Sequence, residues 1–85
     1  MAQKIENKKG FKVLKMGLDE INNIGGLAIC DFCGTPSLEG FYVAVLNQWL
    51  CPKCYNEWYL RAKHYPEDIA IENKNYTNMQ NMLEL

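Results

Sequence analysis

Every cysteine of this 85-residue chain falls in one of two short pairs, Cys30-Asp31-Phe32-Cys33 and Cys51-Pro52-Lys53-Cys54, with seventeen residues between them. A C-x-x-C turn presents two thiolates at a distance suited to one metal ion, and a tetrahedral zinc completes its shell with two such turns. C-x-x-C repeated after about 15–20 residues is a spacing that zinc sites use. The chemistry expected at Cys30, Cys33, Cys51 and Cys54 is therefore a shared tetrahedral metal, one structural zinc ion, with iron the lesser alternative because thiolate shells accept both. Two disulfides would need an export route, and residues 1–10 are polar and lysine-rich with no apolar signal stretch behind them. A thioredoxin-like redox pair would need a βαβ pattern that is absent. No run reaches the length of a membrane span, and the expected location is cytoplasmic.

Catalysis is not expected. Catalytic zinc keeps a position open, whereas four thiolates close the shell. The lone histidine, His64, lies ten residues beyond Cys54, about 15 Å along a continuous helix. It reads as a helix-end or solvent residue. Ser37 is the single serine, and no acid, base and nucleophile set accompanies it.

The elements that must position the cysteines can be read along the chain. Residues 1–10 form an expected disordered basic arm. Phe11 to Met16 suggests a short edge strand guarded by Lys12 and Lys15. Asp19 to Ile24 reads as a helical turn with acids at its start, stopped by Gly25-Gly26. Leu27-Ala28-Ile29 runs as a strand into the first cysteine pair, and Gly34 after Cys33 suits a backbone that must turn with φ > 0. Phe41 to Leu46, aromatic and β-branched, is the clearest strand. It is apolar on both faces, which fits a strand covered on both sides or an open face awaiting a partner. Asn47-Gln48 suggests a hairpin turn, with Trp49 to Cys51 returning.

Pro52 suits a first helical position. Tyr55, Trp58, Tyr59, Ala62 and Tyr65 then make one helical stripe up to Pro66. Cys51 and Cys54 thus straddle a helix N-terminus, whose dipole and free amides favour thiolates. Beyond Pro66, Glu67 to Glu72 reads as a strand or extended segment. Residues 73–85 form a tail with Tyr76, Met79, Met82 and Leu83 at helical spacing, either a short helix or disordered.

A cysteine turn, a hairpin and a helix carrying the second pair resemble the treble-clef zinc finger, with the GATA-type spacing C-x₂-C-x₁₇-C-x₂-C and a likeness to LIM-type four-cysteine modules. The resemblance spans residues 27–65. It implies a zinc held between knuckle and helix and, in DNA-binding members, a basic hairpin with a helix in the major groove. Residues 34–50 contain no lysine or arginine, so that hairpin is missing here. Cys30 to Gly34 and Cys51 to Cys54 also resemble rubredoxin knuckles, which implies iron and one-electron transfer, although Tyr55 stands where the second knuckle would have glycine.

The expected architecture is thus a small α+β domain over residues 11–72, of treble-clef type with its zinc module at 27–65. Nine Lys plus Arg against ten Asp plus Glu give a net charge of −1, and four thiolates with one divalent ion lower it by about two more. That sign disfavours binding driven by phosphates. The expected function is non-enzymatic protein–protein interaction, with Tyr42, Trp49, Trp58 and Tyr59 as candidate interface rings. A DNA-binding, transcription-regulatory finger is the alternative, with Lys8, Lys9, Lys12 and Lys15 as candidate nucleic-acid contacts. A tail helix is expected to dock either on its own domain or on another copy of the chain, the latter giving a homodimer.

Overall fold

A computed structural model describes residues 3–83. Four antiparallel strands form one sheet in chain order: β1 (Gln3–Ile5), β2 (Val13–Gly17), β3 (Glu39–Val43) and β4 (Gln48–Leu50). Three α-helices accompany it: α1 (Leu18–Asn23), α2 (Pro52–Arg61) and α3 (Ile69–Leu83), with a 3₁₀ turn at Pro66–Asp68 before α3. The result is a small mixed α+β fold.

Side-chain alternation along the strands sends successive residues to opposite faces, and both faces are covered. On one, Val13, Val43 and Leu50 pack with Phe11, Cys30, Cys54 and Tyr55, so α2 and the cysteines lie there. On the other, Leu14, Met16, Tyr42, Ala44 and Trp49 pack with Ile21 of α1 and with Tyr76, Met79 and Leu83 of α3. The register Val13↔Val43 and Leu14↔Tyr42↔Trp49 brings like-facing residues together. This explains why the third strand is apolar on both sides.

Gly40 is demanded by close approach. A Cβ there would stand 2.5 Å from the Leu50 carbonyl oxygen and 2.7 Å from the Trp49 ring. The indole lies across this gap and donates from Nε1 to the Met16 carbonyl at 3.2 Å.

Several expectations change. Gln3–Ile5 of the expected disordered arm is a strand paired with Val13–Lys15, while Met1, Ala2, Glu84 and Leu85 lie outside the described residues. β2 consequently sits inside the sheet, with Val13, Leu14 and Met16 at 0% exposure. The segment before the first cysteine pair contributes one isolated bridge, Ile29↔Pro36, in place of a strand. β3 starts at Glu39 and ends at Val43, and the turn falls at 44–47 with Asn47 at φ 53°.

Helix α2 stops at Arg61, four residues before the expected Tyr65, because Ala62 is extended (ψ 144°). Lys9 closes this end: its ammonium donates to the Tyr59 and Ala62 carbonyls, which the helix leaves free. The expected extended segment after Pro66 is the 3₁₀ turn and the first turn of α3. Among the described residues no helix is long and apolar enough to cross a membrane.

Candidate metal centre

The first half of the centre is a turn built by backbone hydrogen bonds. Cys30 N–H donates to the Thr35 carbonyl at 3.0 Å, and Gly34 N–H to the Cys30 carbonyl at 2.9 Å. Gly34 holds φ +73°, a conformation costly for residues with a Cβ. The reversed chain points the amides of Phe32 and Cys33 at Cys30 Sγ, at 3.4 and 3.5 Å.

The second half is the start of α2. Cys51 is the N-cap in extended conformation, Pro52 takes the first helical position, and Cys54 stands in the first turn. The hairpin β3–β4 delivers Cys51 beside the first turn, since Leu50 is packed in the same apolar cluster as Cys30 and Cys54.

The four sulfurs lie within 4.8 Å of one another, and Cys33 Sγ is 3.9 Å from Cys51 Sγ. A tetrahedral zinc with its usual thiolate bond length places sulfurs about 3.8 Å apart. All four cysteines are free thiols, far beyond a disulfide bond length. Donor type, number and spacing therefore fit one thiophilic divalent ion.

The surroundings treat the thiols unequally. Burial works against ionising Cys30, but the amides of Cys33, Cys51 and Phe32 outweigh it and hold its pKa below the ordinary thiol value. Thr35 hydrogen-bonds to Cys33 and, with further help from its backbone, lowers that thiol to about 6. Burial, followed by hydrogen bonds to the other three cysteines, pushes Cys54 up to about 12. The surroundings thus favour the thiolate at Cys33 and the thiol at Cys54.

The remaining candidates are dispersed. Tyr42 (3% exposed) and Trp49 (5%) belong to the core on the far face of the sheet and present no ring to a partner. Trp58 and Tyr59 are half-buried and pack on Phe11, with ring centroids 4.7 and 6.3 Å away. Three of the four lysines are engaged within the molecule. Lys9 caps α2 and lies over the Tyr59 ring, Lys12 lies over Tyr76, and Lys15 pairs with Glu39 at 3.7 Å. Lys8 is exposed.

Sequence reasoning assigned no role to Asp31 and did not foresee the cleft around Phe32. Asp31 and Phe32 fill the first turn, and Asp31 bonds to β4 in both directions; the turn preference of aspartate was its signal. Phe32, 65% exposed, joins Leu46, Leu50, Trp58, Glu57 and Arg61 around a cleft of about 320 Å³ beside Cys54. His64, expected at a helix end or in solvent, bonds instead through Nε2 to Glu72 Oε1 at 2.9 Å.

Comparison with protein-family models, curated proteins and solved structures finds no match, so the geometry of the cysteine cluster carries the functional reading.

Proposed function

We propose that this protein is a non-enzymatic zinc module of treble-clef type, in which the metal staples a surface that binds a protein partner. The observation that carries this reading is the convergence of all four thiols within 4.8 Å, from a backbone turn and a helix N-terminus. Such a donor set saturates a tetrahedral ion and leaves no position for water or substrate. The order of turn, hairpin and helix supports the treble-clef reading.

Partner binding is supported by the cleft next to the centre, where Phe32 and Leu46 are exposed and Trp58 is half-buried. Exposed aromatic side chains in such a setting are frequent anchors of protein interfaces. Engagement of Lys9, Lys12 and Lys15 in internal contacts, and the −1 charge, favour protein over nucleic acid.

The test has two parts. Metal analysis of purified protein is expected to return one zinc per chain; a red, iron-containing product would favour the rubredoxin-like alternative. A tagged pull-down with and without nuclease is expected to retain protein partners in both arms and to lose them on Phe32→Ala. Partners that vanish with nuclease would sink the protein-binding reading.

A further inference from the structure

We propose that Asp31 is a positioning residue for the metal: it locks the two cysteine pairs into register so that the four thiols are assembled for the ion. This inference rests on the metal reading of the cluster. Asp31 N–H donates to the Trp49 carbonyl at 2.9 Å, and the Trp49 N–H donates to Asp31 Oδ2 at 2.8 Å. Both outward-facing backbone groups of Trp49 are thereby satisfied by one residue. Asp31 acts toward β4 as a strand residue would, with its carboxylate standing in for a carbonyl.

The location gives this pair its consequence. Asp31 follows Cys30 directly, and Trp49 precedes Cys51 by two residues. The loop that carries the first two thiols is thus bonded to the strand that delivers the third. Trp49 is itself immobilised, 5% exposed and bonded through its indole to Met16, so Asp31 is tied to a rigid part of the sheet. The pairing also leaves Trp49 no free backbone group on the outer edge of β4, which alone would be an edge-protection role.

Positioning and mere edge protection separate by experiment. Full-length wild type, Asp31→Ala, Asp31→Asn and Asp31→Glu are titrated with Zn(II) in competition with a chromophoric chelator. Each is also loaded with Co(II), whose visible d–d bands report tetrahedral thiolate geometry. Asn retains an oxygen acceptor at the same reach, Glu moves it by one methylene, and Ala removes it. Outer-shell partners of metal ligands typically control affinity about 10- to 100-fold. Asp31→Ala is expected to lose affinity on that scale with broadened Co(II) bands, and Asp31→Glu to lose part of it. Asp31→Asn is expected to stay closer to wild type than to Asp31→Ala.

Equal affinities across the series would overturn the proposal, as would equal losses in Ala and Asn, which would make the charge and not the acceptor decisive. If Asp31→Ala fails to fold at saturating metal, the order of wild type, Asn and Glu decides by the same criteria. Failure of the wild type to bind either ion would instead overturn the metal centre itself.

Discussion

At the scale of the residue, the centre depends on groups with no spare partners. Cys30 and Cys54 are buried at 1% and 6% exposure and belong both to the four-cysteine cluster and to the apolar cluster over the sheet. Cys30→Ser or Cys54→Ser is expected to abolish stoichiometric zinc binding and to unfold that face, seen as loss of near-ultraviolet aromatic dichroism. A second residue-level outcome concerns pH. Burial raises Tyr42, Tyr55 and Tyr76 above the ordinary phenol value of 10. The folded chain therefore holds these protons more tightly than the unfolded chain. Their contribution is complete below pH 10 and is lost as pH rises through the raised folded values. Urea unfolding at about pH 9 and about pH 11 is expected to show lower stability at the higher pH, with a smaller drop in Tyr42→Phe.

At the scale of the element, α3 is tied to the sheet by polar contacts as much as by its apolar stripe. Glu72 is 1% exposed; its Oε2 accepts from Lys12 N–H at 3.0 Å and its Oε1 meets His64 Nε2. Asn75 adds a bond from Nδ2 to the Ala44 carbonyl at 2.8 Å. Glu72→Ala would strand a backbone donor and the imidazole, and is expected to cost about 1–3 kcal/mol. Faster hydrogen exchange at the Lys12 amide would register it, and Glu72→Gln, which keeps an acceptor for that amide, is expected to restore protection. In the β3–β4 hairpin, Gly40→Ala drives a methyl into the Trp49 ring and the Leu50 carbonyl. Overpacking of this kind costs about 1–3 kcal/mol, and denaturant unfolding is expected to show a loss in that range.

At the scale of the whole molecule, the four-cysteine cluster lies on one face of the sheet, and the other face has a separate apolar cluster. The cysteine face includes Phe11 and Val13 from outside residues 27–65, so the packing of that segment draws on the N-terminal part of the chain. A peptide of residues 27–65 is expected to bind Co(II) with thiolate bands yet lack the near-ultraviolet dichroism of the full chain. Matching spectra would show that the N-terminal strands are dispensable.

The convergence of the four cysteines was legible from the sequence because it rests on local stereochemistry: two C-x-x-C turns, a Gly34 after one and a Pro52 inside the other. The hairpin strands and the start of α2 were legible for the same reason, through strand propensity and a proline at the first helical position. Tertiary structure alone decided what lies far apart in sequence. A three-residue strand such as Gln3–Ile5 has no stability until β2 offers its edge. The end of α2 is capped by Lys9, some fifty residues upstream. Tyr42 and Trp49 looked like interface rings because aromatic residues suit cores and surfaces alike. Only the packing of α1 and α3 across the second face buried them, and only the register of β4 brought Asp31 to Trp49.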